Sequence, residues 1–383
     1  MKRMNIEARP DWQEKAKTDG FGFHTMYDEP YWTDDGYYSF TMKQIEHDIE
    51  DPTDDLQNMC LDAAERIINS EEAMTKLHIP VNMMNLVKAS WDNRDKNLYG
   101  RFDLAYNGTG PAKLLEYNAD TPTSLFEASY FQHNWMIDQV EAGRLPAGTD
   151  QFNLMQETLV EAFGYFNLDQ IFHFACWKDN LEDAGTVSYM MDCALQAGHK
   201  VKMVDIQKIG IDALGRLLDE DDITIEQCFK LYPWEDMLRE DFARYIKPGV
   251  FTEPVWKSVI SNKGFLAMLW DMNKRHPNLL ETRFEGESLS SERNGYVIKP
   301  FFSREGENVK IVSNGEVVEE TTGDYGDSPK IIQERAQMFE QNGQHAVLGS
   351  WVVGNTPCGL GMREDSGLIT KNMSRFVPHV IID

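Results

Sequence analysis

Residues 99–118 read YGRFDLAYNGTGPAKLLEYN, two alternating stretches joined by a Gly-Thr-Gly-Pro turn. Alternation with period two around a glycine-bearing turn defines a β-hairpin, and a hairpin dictates which side chains meet. Pairing Asn107 with Ala112 sets Asp103 across from Glu116 and Arg101 across from Asn118. Directly opposed residues share a face. Those four polar groups therefore line one side, and Phe102, Leu104, Leu115 and Tyr117 line the other, with Lys113 near the turn. A slip of one residue would mix the two sets, so the apolar pattern favours this register.

Two opposed carboxylates repel each other, and a hard divalent cation relieves that repulsion. Magnesium takes oxygen ligands, commonly one or two carboxylates, and fills its shell with water and phosphate oxygens. Asp103, Glu116 and the Asn118 amide are suitable ligands, and Arg101 would meet a phosphate beside the metal. The competing reading is a solvated hairpin face on which Arg101 offsets the acids. On composition alone the two stand even.

The 383 residues are 42% apolar, enough for a sizeable core in one large unit or two to three ordinary domains. A formal net charge of −26 argues against a nucleic-acid partner and against docking on an anionic membrane. The five cysteines, Cys60, Cys176, Cys193, Cys228 and Cys358, are scattered without a C-x-x-C, which fits free thiols in a reducing compartment. No apolar run reaches the roughly 20 residues a membrane helix needs, and none of signal-peptide length follows the first residues. A cytoplasmic protein is expected.

Residues 1–90 read as mainly helical, with a break near Pro52 and a new start at Asp54–Asp55. After the hairpin, DTPTSLFEASYFQHNWMIDQV starts a helix with Thr121 or Thr123 as its cap. Between 151 and 206, helix, strand (IFHFAC), helix and strand (KVKMVDI) form an α/β segment with parallel strands. From residue 295 the chain is strand-rich, and Asn314–Gly315 signals a two-residue hairpin. The fold class is therefore α/β (α+β) with mixed sheets. A single unit over 1–383 is expected, with approximate lobes at 1–150 (helical region plus hairpin), 151–255 (α/β, substrate) and 256–383 (nucleotide).

Neither a G-x-x-x-x-G-K-[ST] nor a G-x-G-x-x-G occurs. YVIKPFFSREGENVKIV (296–312) instead places Lys299 on a strand, then a polar loop with Arg304, Gly306 and Asn308, then a returning strand. Such a turn can offer backbone N–H groups to phosphates, with Lys299 as a point charge, although most such units are only hairpins. Lys263 in SNKGFLAML stands at a helix start, where a lysine is out of place unless an anion is present. Arg363 follows a glycine-rich bend in CGLGMRED. Each of these has a bland surface reading when taken alone.

Taken in order, RFDLAYN, KLLEYNADTPT, SNKG, YVIKPFFSREGENV, IIQE, GLGMREDSGLIT and SRFVPH resemble the synthetase part of the glutathionylspermidine synthase family and its stand-alone relatives. The opening YWTDDGYYSFTMKQIEHDIEDPTDDL is similar too, so the resemblance runs from Trp12 to His379. It implies an ATP-grasp ligase that activates a carboxylate as an acyl phosphate for attack by an amine. Its cofactors would be ATP and magnesium, and its partners small-molecule acids and amines. By motif, Asp103, Glu116 and Asn118 correspond to the magnesium ligands. Arg101 corresponds to an arginine meeting the transferring phosphate or the substrate carboxylate, and Arg363 to one that stabilises the transfer. Lys263 and Lys299 correspond to lysines on the ATP phosphates, and Gly306 to the loop closing over them. Gln333 and Glu334 fall where the family presents polar and backbone groups to adenine, and Glu157 where an amine-site acid stands. The amidase domain of the best-known members has no counterpart in these motifs. A non-catalytic ATP-binding regulatory module is the rival reading.

Overall fold

The computed structural model describes every residue except 27, 293 and 383. Thr41 opens the first long helical run with a capping box: its hydroxyl accepts from Gln44 N, and the Gln44 side chain accepts from Thr41 N. The expected break near Pro52 does not occur. A π-helical turn at Glu46–Glu50 runs straight into helix α1 (Asp51–Ile68), whose first turn holds Pro52. A proline in the first turn lacks only an N–H that the helix leaves unpaired there, so the helix passes through it. The apolar stripe of α1, with Leu56, Cys60 and Ala63, is buried in one core with Phe102, Leu104, Leu114 and Tyr117 of the hairpin.

The hairpin strands are β1 (Tyr99–Ala105) and β2 (Lys113–Asn118). Helix α2 (Met155–Phe163), strand β3 (Ile171–Cys176), helix α3 (Leu181–Gln196) and strand β4 (Lys200–Asp205) follow. Next come β5 (Gln227–Lys230), β6 (Phe251–Thr252), helix α4 (Gly264–Met272) and β7 (Thr282–Phe284). The strand-rich part holds β8 (Tyr296–Pro300), β9 (Lys310–Ser313), β10 (Glu316–Glu320) and β11 (Lys330–Glu334). It ends with β12 (Gln344–Val353), β13 (Thr356–Asp365) and β14 (Arg375–Val377).

Three sheets matter for the site. The central one is antiparallel in the order β14-β13-β12-β1-β2, so the hairpin is extended by strands more than two hundred residues away. A second antiparallel sheet runs β7-β11-β8-β9-β10. Asn314 and Gly315 turn β9 into β10 with φ of 53° and 79°, the positive values a tight two-residue hairpin requires. The third sheet is parallel, β6-β5-β3-β4, with α3 as the crossover between β3 and β4.

The parallel sheet pins both ends of the hairpin through buried ion pairs. Lys230, the last residue of β5, contacts Asp120 just past β2 at 2.5 Å, and Asp120 also accepts from Trp234 N at 2.8 Å. Glu253, just past β6, accepts from the N–H groups of Leu98 and Tyr99 and pairs with Lys257 at 2.5 Å. Burial pushes the Lys230 ammonium down and the Asp120 carboxyl up. Neither charge would be stable there without its partner. Removing one partner should therefore cost far more than removing both. Asp120→Ala is expected to lose about 3–5 kcal/mol in denaturant unfolding, and the double change Asp120→Leu with Lys230→Met markedly less.

Candidate active site

The expected register holds where it matters: Arg101 lies opposite Asn118 and Asp103 opposite Glu116. It fails toward the turn, because a bulge after Asp103 pairs Leu104 with Leu114. Leu115 is the extra residue, so the expectation that it shares the core face is corrected. Leu114 takes that place, and Leu115 lines the cleft beside Glu116. The bulge also frees the Leu115 carbonyl from the ladder, and Lys299 Nζ donates to it at 2.9 Å. That bond ties β8 of the second sheet to the hairpin.

The polar face is densely paired. Arg101 donates to both oxygens of Asp103, at 2.6 and 3.0 Å, and to the Thr123 carbonyl at 2.6 Å. Its guanidinium lies 5.6 Å from the centre of the Trp351 ring. Gly349, opposite Asp103, leaves room for this arginine, since a Cβ there would stand 2.7 Å from Arg101 Cδ. Glu116 pairs with Lys263 at 2.9 Å. Asn118 Nδ2 donates to Asp103 Oδ2 at 2.9 Å and to Glu116 Oε1 at 3.1 Å. Burial favours a neutral Glu116, but the ammonium groups of Lys263 and Lys299 outweigh it and hold the carboxyl at about 2. Asp103 is raised, by burial first and by Glu116, against the pull of Arg101.

Two carboxylate oxygens thus converge on one amide. Turning that amide end for end would present three hard oxygens to a common point, a donor set that suits magnesium. Among the described residues no group of three or more His, Cys, Asp or Glu forms a metal site, so the fit rests on two carboxylates and an amide.

Asp103 and Glu116 line a cleft, whereas Arg101 is not among its lining residues and Asn118 lines the pocket that adjoins it at Lys263 and Ser303. Lys263, Lys299, Ser303, Glu305 and Gly306 complete the polar end of the cleft, and Val297, Ile311, Met338, Val347 and Ile369 wall the rest. Lys263 precedes α4, and Asn262 satisfies that helix start by accepting from Gly264 N at 2.8 Å. Lys263 Nζ also donates to the Ser303 carbonyl at 2.5 Å. Gly306 has φ of 72°, and a Cβ on it would stand 2.4 Å from the Thr370 carbonyl, so only glycine fits.

Gln333 is buried behind the cleft and accepts from Lys299 Nζ at 2.7 Å. Glu334 pairs with Tyr296 at the end of β11 and is not among the lining residues; Arg335 and Ala336, next in the chain, are. Arg363 lies on the same sheet face as Asp103, two residues along β13 from Gly361, which aligns with Gly349 and Asp103. Its guanidinium donates to the carbonyls of Lys371, Asn372 and Ser374 and to Ser124 Oγ. Glu157 is exposed on the first turn of α2 and is not brought to the cleft.

The sequence reading gave some groups no role. Arg304 bridges Thr121 Oγ1 at 2.7 Å and Glu235 Oε1 at 2.6 Å, clasping the loop after β8 to the hairpin's end. Thr121 and Thr123 thus serve two arginines, and neither caps the helix. The helix begins after Ser124, whose carbonyl accepts from Ala128 N. The place of Arg304 in the same loop as Gly306 was the available signal, and nothing local marks Glu235, 69 residues earlier, as its partner.

The site-bearing architecture is that of an ATP-grasp-type protein. A solved glutathione synthetase-like effector from Globodera pallida, in its apo form, shares the fold with a TM-score of 0.57 at 13% identity, over 90% of this chain and 89% of that one. The chain belongs to the family described as glutathionylspermidine synthase preATP-grasp, whose model matches residues 3–382. A Haemophilus influenzae protein described as "Putative acid--amine ligase" is 36% identical over 399 aligned positions, covering 100% of both chains. Trypanothione synthetase of Crithidia fasciculata is 27% identical over 352 positions, 84% of this chain but 53% of that protein. The chain spans all of the first relative and about half of the second. Its enzyme class is that of the ATP-dependent carbon–nitrogen ligases. No helix among the described residues is long and apolar enough to cross a membrane.

Lys299 gives the site a stability signature. Burial pushes its ammonium down to about 8, against the pull of Glu116. A folded state that binds its proton less tightly than the unfolded chain is penalised below the folded pKa, and the penalty fades as pH rises toward the unfolded value of about 10.4. Relative to Lys299→Met, the unaltered protein should gain about 2–3 kcal/mol between roughly pH 7.5 and pH 10. Denaturant unfolding of both proteins at the two pH values measures this; a constant difference would show that the ammonium is not desolvated.

Proposed function

We propose that this ligase uses ATP to turn the carboxylate of a glutathione-like or other peptide acid into an acyl phosphate. A polyamine, diamine or other amine then displaces phosphate and forms the amide. The observation that carries this reading is the cleft itself, lined by apolar side chains together with Lys263, Lys299, the Gly306 loop, Asp103 and Glu116, with Asn118 bonded to both acids from the adjoining pocket. Such a cavity suits a ligand with a flat apolar body and a polyanionic tail.

Phosphoryl transfer needs positioning and neutralisation of spreading charge more than covalent help. Lys263 and Lys299 would hold the phosphates, exchanging the carbonyls of Ser303 and Leu115 for phosphate oxygens. Gln333 keeps Lys299 aimed through its 2.7 Å bond. Backbone beside Glu334, at Arg335 and Ala336, would meet the base. Arg101, already fixed by Asp103 and Thr123, would face the transferring phosphate or the acid. Magnesium held by Asp103, Glu116 and Asn118 would supply charge neutralisation on the phosphates. Arg363, with one Nη1 hydrogen left over after its four protein bonds, would stabilise the transfer. Glu305 interacts with Arg304 and Arg363 and Asp183 with Arg304, while Glu182 adds a further negative charge beside both acids and, after burial, pushes Asp183 up to about 7. Such an excess of negative charge favours a cationic amine.

The test is ADP release with candidate acids and amines, alone and in pairs, glutathione and spermidine included. Release that requires a matched pair is the expected result. Nucleotide binding without release for any pair would favour the non-catalytic regulatory module. With the productive pair, Arg363→Ala should lower turnover by about 10²–10³-fold, the usual cost of one lost transition-state donor. Unchanged turnover would remove Arg363 from the mechanism.

A further inference from the structure

Behind Arg363 lies a buried acidic group that the cleft does not use. Glu127 is fully buried at the start of a π-helical turn (Glu127–Phe131), a local feature that recurs near functional sites. Its Oε1 accepts from the Tyr31 hydroxyl at 2.6 Å, and its Oε2 is buried with no hydrogen-bond partner. The same Tyr31 hydroxyl meets Ser124 Oγ at 2.9 Å, and Ser124 Oγ accepts from Arg363 Nη1 at 3.3 Å. The Arg363 guanidinium lies 5.1 Å from the centre of the Tyr31 ring. Tyr31 is itself anchored, its carbonyl accepting from Phe376 N on β14, opposite Arg363.

A carboxylate with one oxygen unpaired in the interior costs stability, so packing alone does not account for it. The geometry accounts for it differently. The short bond to Glu127 is charge-assisted and fixes the direction of the phenol. The phenol fixes both the ring face under the guanidinium and the Ser124 hydroxyl at its edge. Ser124 adopts φ of 68°, a left-handed conformation that a serine takes at a cost, and its hydroxyl sits between the two partners. Three buried side chains thus form one hydrogen-bonded line from Glu127 to Arg363.

We propose that Glu127 is a positioning residue for Arg363, acting through Tyr31 and Ser124. The proposal rests on the role given to Arg363 above, but its test does not need turnover. The charged and titratable groups facing Glu127 are Tyr31, Glu182 and Arg363. Burial, with Glu182, raises its carboxyl to about 7 while Tyr31 and Arg363 oppose the shift, so its charge changes in an accessible range. Asp183 reaches a similar value and serves as the control.

The experiment follows the Arg363 side-chain Nε–H resonance, assigned by its loss in Arg363→Lys, across pH in ¹⁵N-labelled full-length protein. The expected result is a sigmoidal shift with a midpoint near 7. Glu127→Gln should abolish it and leave the resonance near its low-pH position. Tyr31→Phe, which cuts the line between Glu127 and Ser124, should flatten it too and stands in if Glu127→Gln fails to fold. Asp183→Asn should leave it in place. A resonance that does not move, or that titrates alike in Glu127→Gln, overturns the proposal. ADP release with glutathione and spermidine, run in parallel, reports on the ligase reading separately; its failure would leave the resonance result standing.

Discussion

Two carboxylates facing each other across neighbouring strands set the terms for this cleft. At a separation near 4 Å, like charges repel by roughly 4 kcal/mol at an effective dielectric of about 20. The protein answers with cations from three different elements. Arg101 comes from the strand of Asp103 itself, Lys263 from the start of α4, and Lys299 from the second sheet. The repulsion thereby becomes a reason for the parts to meet. Arg101 meets Asp103 and Lys263 meets Glu116 directly, while Lys299 acts on Glu116 at longer range, so the helix start and the second sheet are both drawn to the hairpin.

The support behind this arrangement is also electrostatic, but of another kind. Asp120–Lys230 and Glu253–Lys257 are sealed away from solvent and hold the hairpin's two ends to the parallel sheet. Both come from positions at or just past the carboxyl ends of parallel strands, where open α/β sheets gather ligand-binding groups. Here those ends carry the scaffold of the site, and the hairpin carries its paired carboxylates. Buried pairs of this sort contribute little net stability compared with apolar residues, but they admit few alternative geometries. That suits a hairpin whose register decides which groups face the cleft.

The sequence showed the hairpin clearly, because period-two alternation determines faces without any tertiary information. Asp103, Glu116, Asn118 and Arg101 came together for that reason, and the parallel β3–β4 pair and the Asn314–Gly315 turn were legible on equally local grounds. What failed was anything set by a partner far along the chain. The bulge that moves Leu115 into the cleft leaves its carbonyl to Lys299, 184 residues away. Thr121 and Thr123 looked like caps because capping is a local rule, yet distant arginines claim both. Pro52 looked like a break, because the π-helical turn before it left no pattern in composition. The line from Glu127 to Arg363 joins residues up to 332 positions apart in Tyr31 and Arg363 and has no sequence signature at all.

The two cationic sets in the site differ in how they are paid for. Arg101 and Arg304 are guanidinium groups that burial barely threatens, since each meets a carboxylate in close contact. Lys299 has no carboxylate in hydrogen-bond contact, only a carbonyl and an amide oxygen, and its proton is held loosely as a result. A lysine buried on neutral acceptors is an anion site in waiting: a phosphate oxygen would supply the negative charge that Leu115 and Gln333 lack. The arginines are therefore structural before any ligand arrives, whereas Lys299 gains most from one. That asymmetry makes Lys299, among the cations at the polar end of the cleft, the one an anionic ligand would stabilise most, because Arg101 and Lys263 already meet carboxylates.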